Sequence, residues 1–540
     1  MPARGIFSRG VRAVPGGRAV LKYNIVPKPN RYTKEPGSYT VSSGTQVLCA
    51  KEFLDAGNYL TAYLKTKPRE GEGAIKIKKA EGMAAESYRL RVSPEGILIE
   101  ASDPSGAFYG AVTLRTILMQ AKKQNGRATV EGLTIEDAPL YSYRGVQIDD
   151  ARHFFGKDIV KRVLDSMAML KLNTLHWHLS DDQGFRVESK LFPELTSVGA
   201  KRKYAGFEGC GLEHRGGEYF HYYTQEEIRE VVAYAASLHI DVIPEFDIPG
   251  HTTAILAAYP QLSCFGESVE VACENGIFDT ILCAGNDEVY AFLDTLFGEL
   301  CALFPGKYFH IGGDEASKGH KVWEKCPKCR ALMEENGLKD GKALQGLFMS
   351  RVNEIVKKYG KTTIAWNDCI GDGFDESIIC QFWHPFNRSA VRAQSYKRDF
   401  ILSPDAFFYL DISYANIPLK KTYSFKPSKV GFSKPNQRVR GIECTHWSEW
   451  LDSEQALQFA MFPRIAAVAE VAWTKPELRR YKDFHKRLDW LKTYWRKTGV
   501  YYSRLEKRKW NVKRVPLYHL GADGKEFRIS EQLRAAEENT

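Results

Sequence analysis

Two adjacent carboxylates, Asp314 and Glu315, stand in the stretch HIGGDEASK, which spans residues 310–318. Like charges in contact repel, and on a regular strand neighbouring side chains point to opposite faces. One interpretation is a helix start, because acidic residues favour the first turn of a helix. The other is a catalytic pair, in which different surroundings hold one carboxyl group protonated and the other ionised.

The elements that must position this pair predict a barrel. From Tyr141 onward, apolar strand-like runs alternate with longer helical patterns. Eight strand candidates with helices between most of them favour an α/β fold with a (β/α)8 TIM barrel over an open doubly wound sheet. The candidates are YRGVQIDD, NTLHWHLSDD, IDVIPEFDIPG, YFHIGGDE, TTIAWND, SIICQFWH, DFILSPDAFFYLD and RGIECTHWSEW. The stretch between the sixth and seventh candidates lacks an obvious helix, so we expect an irregular barrel there.

The chain divides into four predicted sections. Residues 1–20 are basic and Gly-rich without the apolar core of a signal peptide, which predicts a disordered leader. Residues 21–139 combine short β-rich runs with one long helical pattern, so we predict a small α+β domain with a helix covering one side of the strands. The barrel is expected at 140–476 and a C-terminal helical extension at 477–540.

The composition of the 540 residues, 44% hydrophobic and 26% charged, is that of an ordinary globular protein. No run of about 18 apolar residues appears, so we expect no membrane-spanning helix and no membrane partner. The net charge of +10 has its basic excess near the C-terminus. We interpret that excess as a solvated helix face and expect no nucleic-acid partner, because no known binding module accompanies it. The sequence does not indicate an oligomeric state.

The eleven cysteines are scattered along the chain. Cys326 and Cys329 form the motif CPKC, and no second CxxC follows at zinc-binding spacing. A two-cysteine fragment is weak support for a metal, so we favour structural thiols or local disulfides. We expect neither a metal ion nor a cofactor.

Polar and aromatic residues collect at the carboxyl ends of the predicted strands, which face the active-site mouth of a barrel. Carboxylates alternate there with tryptophans, among them Trp366, Trp383, Trp447 and Trp450. Apolar faces of sugars stack on indole rings, and sugar hydroxyls hydrogen-bond to ionised acids. The pattern therefore predicts a sugar-binding site.

The motifs HxGGDE, HWHLSDDQGFR, PEFDIPGH and the W-x-E of ECTHWSEW resemble those of glycoside hydrolase family 20, the β-N-acetylhexosaminidases. The resemblance covers residues 141–475, and the preceding α+β domain is similar to the small domain of this family. It implies a retaining exo-glycosidase whose partner is a glycan with a terminal β-linked N-acetylhexosamine, GlcNAc or GalNAc. It also implies substrate-assisted catalysis, in which the 2-acetamido oxygen of the sugar attacks its own anomeric carbon and forms an oxazolinium intermediate. The resemblance further implies a periplasmic, secreted or lysosomal location, although the sequence shows no recognisable export signal.

By this resemblance, Glu315 is the general acid/base and Asp314 orients the acetamido group. We expect Asp314 to stay ionised and to keep Glu315 protonated, since a like charge disfavours a second negative charge. Asp181 would pair with charged groups around the acid, and His251 would lie beside the catalytic glutamate. A hydrogen-bonded structural histidine is the alternative for His251.

The resemblance also assigns the groups that hold the sugar. Arg144 would bind the 3- and 4-hydroxyls as a rigid fork, with a structural ion pair as the alternative. Tyr409 would position the acetamido oxygen, and Asp411 would bind the 4- or 6-hydroxyl and disfavour anionic sugars. Glu449 would bond sugar hydroxyls. The aromatic walls would be Trp366, Trp383 and Trp447.

Three other functions remain open. The HWH of His176 and His178 resembles the metal pair of an amidohydrolase, although we expect these residues to be hydrogen-bonded structural groups. The second alternative is sugar binding without catalysis. The third is release of the disaccharide lacto-N-biose, as in some relatives of the family. The loop at 205–223 is longer than is typical of the family and could shape the leaving-group side.

Overall fold

The computed structural model describes residues 22–42, 44–66, 74–206, 217–385 and 388–504. The predicted leader lies outside these ranges, as do residues 207–216 of the predicted loop and residues 505–540 of the C-terminal extension. Within these ranges the chain forms two compact units, one of residues 22–25 and 29–137 and the other of residues 26–28 and 138–504. In the described parts of the chain, no helix has the length and hydropathy needed to cross a membrane.

The described residues of the first unit form a seven-stranded sheet and two α-helices. Its strands are Arg31–Val41 (β1), Val47–Cys49 (β2), Ile75–Lys79 (β3), Tyr88–Ser93 (β4), Gly96–Ala101 (β5), Lys122–Gln124 (β6) and Arg127–Asp137 (β7), and its helices are Leu54–Leu64 (α1) and Pro104–Gln120 (α2). The order is β1-β7-β4-β5-β3-β2, with β6 paired to β7. Strand β7 is antiparallel to β1 and β4, and β4 is antiparallel to β5. Strands β2, β3 and β5 are parallel to one another.

Only one of the two helices is visible in the sequence pattern. Helix α2 begins where the Asp103 side chain accepts a hydrogen bond from the Gly106 amide at 2.8 Å, with a proline at the first helical position. Helix α1 was not predicted, because Gly57 and Asn58 in its middle have low helix propensity. It is stabilised by burial of its apolar face, including Leu60.

The second unit contains a closed barrel of eight parallel strands. The strands of this unit are Tyr143–Asp149 (β8), Thr174–Asp181 (β9), Gly184–Phe185 (β10), Lys201–Arg202 (β11), Tyr219–Phe220 (β12), Asp241–Phe246 (β13), Tyr308–His310 (β14), Thr362–Trp366 (β15), Ile379–Phe382 (β16), Phe400–Leu402 (β17) and Val439–Cys444 (β18). Strands β8, β9 and β13 to β18 pair in sequence order, and β18 pairs with β8 to close the ring. The predicted TIM barrel is confirmed, since each of the eight candidates overlaps one barrel strand.

Helices surround the barrel and extend beyond it. They are Lys157–Met169 (α3), Glu194–Ser197 (α4), Gln225–Ser237 (α5), Thr253–Ala258 (α6), Asp287–Cys301 (α7), Ser317–Trp323 (α8), Pro327–Glu335 (α9), Gly341–Lys358 (α10), Arg388–Gln394 (α11), Asp405–Phe408 (α12), Leu419–Tyr423 (α13), Glu454–Met461 (α14), Arg464–Trp473 (α15) and Tyr481–Lys497 (α16). The predicted irregularity is wrong in its position, because α11 follows the sixth barrel strand. The connection of residues 367–378 after the fifth strand, all described, has a 3₁₀ turn and no α-helix.

The side chains inside the barrel change from apolar to ionisable toward the carboxyl ends of the strands. Tyr143, Ile243, Ile364, Ile379 and Ile401 form a buried apolar cluster at one level of the barrel. Closer to the carboxyl ends of the strands, the interior carries buried histidines and carboxylates. This polar layer supports the residues that follow the strands.

Candidate active site

The two carboxylates lie on an irregular turn just after β14. Helix α8 starts at Ser317, so the pair precedes the helix, and the helix-start interpretation is wrong. Gly312, Gly313 and Glu315 have φ values of +61°, +98° and +51°. A Cβ atom on Gly312 would lie 1.7 Å from an Asp247 carboxylate oxygen, so only glycine allows this approach. The turn brings both acidic side chains to the same side of the backbone.

His251 is the group that both carboxylates approach. Its Nε2 atom lies 3.6 Å from Glu315 Oε2 and 4.0 Å from Asp314 Oδ2. On the other side of the ring, Nδ1 lies 3.0 Å from Asp181 and 3.1 Å from Asp182. Burial alone would lower the pKa of His251. The charge of Asp181 and the hydrogen bonds of His251 with carboxylates instead raise this pKa well above its usual value. The imidazole is therefore a positive charge beside the pair.

The ionisation of Asp314 differs from the prediction. Burial is the main cause that raises the pKa of Asp314 to about 7. The charges of Asp368, Glu245 and Glu315 also contribute to the increase, and the charge of His251 opposes it. Burial also raises the pKa of Asp247. The Asp247 side chain accepts a hydrogen bond from the Gly313 amide and lies close to Asp314. The expectation that Asp314 is simply ionised is therefore wrong for the free protein, in which this carboxyl group titrates near neutral pH.

Arg144 is not in this site, and the prediction of its role is wrong. It is the second residue of β8, at the strand end opposite the mouth, and its side chain is fully buried. Its guanidinium donates to the carbonyls of Lys171 and Tyr141 at 2.9 and 2.8 Å and stacks over Trp473. These contacts make Arg144 a structural residue.

Arg152, three residues beyond the end of β8, lies at the mouth instead. Its Nη2 atom is 2.7 Å from Asp181 Oδ2 and its Nη1 atom is 3.1 Å from Asp149 Oδ2. The guanidinium also lies 5.2 Å from the ring centroid of Trp447. Asp181 thus joins Arg152 to His251, which places it among the charged groups that surround the acid.

Four aromatic side chains form one continuous wall, which we call the aromatic wall: Trp366, Trp383, Tyr409 and Trp447. Neighbouring ring centroids lie 5.8 to 6.2 Å apart along the series Trp383, Tyr409, Trp447 and Trp366. The indole N–H of Trp366 donates to Glu245 at 2.7 Å, and that of Trp383 donates to Asp368 at 2.6 Å. These bonds fix the planes of both rings. The seventh strand ends at Leu402, earlier than predicted, and Tyr409 reaches the wall through helix α12 and a bridge to Thr445.

Two further predicted acids, Asp411 and Glu449, both have a raised pKa. Burial is the main cause that raises the pKa of Asp411 to about 8, and the charge of Glu449 contributes to that increase. Burial also raises the pKa of Glu449, while the positive charge of Arg152 opposes the change. Arg152 therefore connects this pair electrostatically with Asp181.

The HWH histidines are structural, as expected. His176 lies 2.9 Å from Glu443 and 3.1 Å from Glu245, and His178 lies 2.5 Å from Glu245 and 2.8 Å from Asp181. All of these groups are buried. Burial opposes a positive charge, yet the carboxylates raise the pKa of His176 to about 9 and that of His178 to about 10. The close carboxylates therefore support the interpretation of both histidines as hydrogen-bonded structural residues.

This geometry can be compared with known proteins. Residues 141–476 match the family described as Glycosyl hydrolase family 20, catalytic domain, and residues 22–138 match Glycosyl hydrolase family 20, domain 2. The chain belongs to glycosyl hydrolase family 20.

Relatives in family 20 are similar over most of this chain. The beta-hexosaminidase of Porphyromonas gingivalis is 33% identical, over 86% of this chain and 62% of its own length. This chain thus spans less than two thirds of that relative. The beta-hexosaminidase of Vibrio furnissii is 33% identical, over 83% of this chain and 76% of the relative. The solved family 20 beta-N-acetylhexosaminidase of Streptomyces coelicolor is 32% identical with a TM-score of 0.78, over 90% of this chain and 99% of that one.

A solved family 20 structure with a bound sugar is also similar. It is the exo beta-N-acetylglucosaminidase of Vibrio harveyi in complex with N-acetylglucosamine, 31% identical with a TM-score of 0.79. The similarity covers 89% of this chain and 78% of that one.

Sequence reasoning missed several residues of this family 20 site, chiefly Arg152, Asp247, Asp368 and Glu245. The signal for Arg152 was its position, because residues after a strand's carboxyl end face the mouth and residues at its start do not. Asp247 and Asp368 likewise follow the ends of β13 and β15. Glu245 lies within its strand, and its only sequence signal was a charged residue in an otherwise apolar run.

Proposed function

We propose that this chain is a retaining exo-glycosidase that removes terminal β-linked N-acetylhexosamine, GlcNAc or GalNAc, from glycans. The proposed reaction is substrate-assisted, so the acetamido oxygen of the sugar is the nucleophile. The names of the family 20 relatives, which include beta-hexosaminidases and beta-N-acetylhexosaminidases, support this substrate class.

The observation that carries the proposal is the state of Asp314. Its Oδ1 atom is buried and accepts no hydrogen bond from any described residue, while Glu315 beside it remains about one third exposed. A buried carboxylate oxygen without a donor is costly. An acetamido N–H would supply that donor, and its hydrogen bond would favour the ionised form of Asp314.

The two carboxylates then divide the chemistry. In the first step, the acetamido oxygen forms a bond to the anomeric carbon, the glycosidic C–O bond breaks, and Glu315 gives its proton to the leaving oxygen. Asp314 holds the acetamido N–H as positive charge develops on the amide. In the second step, Glu315 takes a proton from a water molecule, the water oxygen bonds to the anomeric carbon, and the bond between that carbon and the acetamido oxygen breaks. The acetamido group is thereby regenerated, and the two successive inversions restore the configuration of the substrate.

The remaining groups would hold the sugar. The Tyr409 hydroxyl would donate to the acetamido oxygen, and the aromatic wall would pack around the acetamido group and the sugar face. Arg152 takes the hydroxyl-binding role that the sequence assigned to Arg144, together with Asp411 and Glu449. His251 would stabilise the carboxylate of Glu315 after it has released its proton.

The alternative functions are less well supported. The HWH histidines are held by carboxylates, which argues against a metal-dependent amidohydrolase. The presence of Glu315 at the mouth argues against a protein that binds sugar without catalysis. The relatives' names describe hexosaminidases, which favours release of single sugars over lacto-N-biose.

The proposal is tested with 4-nitrophenyl β-glycosides that carry or lack the 2-acetamido group. We expect rapid hydrolysis of the N-acetylglucosaminide and N-acetylgalactosaminide, with the β-configured sugar as the first product seen by NMR. Comparable activity on the plain glucoside, or trapping of a sugar esterified to Asp314 or Glu315, would exclude the substrate-assisted reaction.

A further inference from the structure

Four cysteines outside the catalytic site meet at one point: Cys264, Cys283, Cys326 and Cys329. Their Sγ atoms all lie within 4.8 Å of one another. The shortest separations are 3.6 Å between Cys283 and Cys329, 3.8 Å between Cys283 and Cys326, and 3.9 Å between Cys264 and Cys329. Cys264 is half-buried and the other three are buried.

These separations match the geometry of a tetrahedral metal site. Zn²⁺ binds cysteine thiolates at about 2.3 Å, which places the sulfur atoms of a regular tetrahedron about 3.8 Å apart. A disulfide would instead bring each pair of sulfur atoms to about 2.05 Å. All four cysteines are free thiols, and Cys283 approaches two partners at similar distances rather than one.

Two loops build the cluster from opposite sides. Cys264 and Cys283 belong to one loop, held by the antiparallel bridge of Ser263 and Leu282 and by a 2.9 Å bond from the Cys283 amide to the Leu262 carbonyl. Cys326 is the N-cap residue of α9, and Cys329 lies in the first turn of that helix.

A glycine allows the two loops to approach. A Cβ atom on Gly285 would lie 2.3 Å from the carbonyl carbon of Lys328, so only glycine fits between the cysteine pairs. The CxxC of the sequence is therefore one half of a site whose other half has a wide, irregular spacing. That spacing is why the sequence favoured thiols or disulfides.

We propose that these four cysteines bind one Zn²⁺ ion as a closed, structural tetrathiolate site. Four soft thiolate ligands in tetrahedral arrangement select zinc or iron, and a site without an open position has no place for a substrate. The proposal does not depend on the proposed glycosidase activity, since none of the four cysteines belongs to the catalytic site.

The position of the site gives it a function in the fold. The first loop follows β13 and also carries Asp247 and His251, and the second follows β14 and carries Asp314 and Glu315. The Leu282 amide donates to the Pro249 carbonyl at 3.1 Å, and the Trp323 indole donates to the Leu282 carbonyl at 2.9 Å. A metal at the four cysteines would therefore fix together the two loops that place the catalytic carboxylates beside His251.

The test begins with the metal content of the purified full chain, measured by mass spectrometry of the elements. We expect about one zinc ion per chain, and exchange with Co²⁺ should give the visible absorption of a tetrahedral thiolate complex. A mercurial reagent that reacts with the thiols should release the zinc from the protein without substitutions. Iron in place of zinc, no bound metal, or two disulfides among the four cysteines in a non-reducing peptide map would each overturn the proposal.

Variants separate the site from its surroundings. Cys283→Ser and Cys326→Ser should each lose at least about tenfold in zinc occupancy and lower the Tm. The matched control is Cys273→Ser, which changes a partly exposed cysteine of the same loop outside the cluster and should keep its zinc. Equal zinc content in all three variants would also overturn the proposal.

Discussion

His251 connects Asp181 to Glu315, with its Nδ1 atom 3.0 Å from Asp181 Oδ1 and its Nε2 atom 3.6 Å from Glu315 Oε2. The Asp181 carboxylate is the main cause that keeps the imidazole charged in its buried position. Asp181→Asn should therefore weaken the positive charge beside the acid without removing the proton donor. We expect kcat to fall about 10- to 100-fold, equivalent to ~1.4–2.7 kcal/mol, measured with 4-nitrophenyl N-acetylglucosaminide.

The control for this change is Asp158→Asn, which makes the same substitution at an exposed position of α3. It should leave kcat and KM unchanged. If both variants retained normal kcat, the charge relation between Asp181 and His251 would have no catalytic importance.

The exposed carboxylate of the pair should determine how activity depends on the leaving group. Glu315→Gln cannot transfer a proton, so we expect a loss of about 10²–10⁴-fold in kcat for glycans with alkoxide leaving groups. The loss should be much smaller for 4-nitrophenolate, which leaves without protonation. Equal losses on both substrate types would contradict the assignment, and Glu335→Gln on the exposed surface of α9 serves as the matched control.

Two arginines at opposite ends of β8 allow a paired test of the site. Arg152→Lys removes a fork that contacts Asp181 and Asp149, so we expect kcat/KM to fall about 30- to 150-fold, or ~2–3 kcal/mol. Arg144→Lys should leave kcat/KM nearly unchanged and lower the Tm, because this guanidinium bonds buried backbone carbonyls. The reverse pattern in kinetics and thermal melting would restore the assignment made from the sequence.

The contrast between these arginines shows where sequence reasoning succeeds and where it does not. The strands were predictable because buried parallel strands are continuous apolar runs, and their carboxyl ends mark the mouth of the barrel. Residues predicted after the strand ends, such as His251 and Tyr409, do lie at the candidate site. Arg144 lies at the beginning of its strand and was misplaced, because a resemblance of motifs does not say which of two arginines eight residues apart faces the sugar.

Other features depend on contacts between distant residues and have no local signal. The raised pKa of Asp314 arises mainly from burial and from the charges of Asp368 and Glu245, which are distant in the sequence, so the adjacent pair alone suggested a different ionisation. The cysteine cluster joins residues up to 65 positions apart. Helix α1 forms because its apolar face is buried and not because of its intrinsic propensity.

The acid side of the pH profile should report Asp314. Its carboxyl group must be ionised to accept the acetamido N–H, and its pKa is raised to about 7 in the free protein. Since kcat/KM reports ionisations of the free enzyme, it should fall by about tenfold per pH unit below this value. The charge of Asp368 contributes to the raised pKa, so Asp368→Asn should move the acid limb to lower pH. An unchanged limb in that variant would exclude Asp314 as the titrating group.

Substrate charge provides the last test, through Asp411. Burial and Glu449 raise the pKa of this carboxyl group to about 8, so it is protonated at lower pH and gains its charge as the pH rises through that value. If Asp411 binds the 4- or 6-hydroxyl, a 6-sulfate would be disfavoured increasingly toward high pH. Two charges about 4 Å apart in water repel by ~1 kcal/mol, which corresponds to about a fivefold change.

The measurement is the ratio of kcat/KM for the plain substrate, 4-nitrophenyl N-acetylglucosaminide, to kcat/KM for its 6-sulfated form. It is made from pH 6 to pH 9, a range whose ends lie about one pH unit or more from the pKa of Asp411. In this ratio, enzyme ionisations that affect both substrates equally cancel, including that of Asp314. We expect the preference for the plain substrate to increase with pH in the unmodified protein and to become independent of pH in Asp411→Asn. A preference for the sulfated substrate, or a ratio that is constant in the unmodified protein, would place Asp411 away from the 6-position of the sugar.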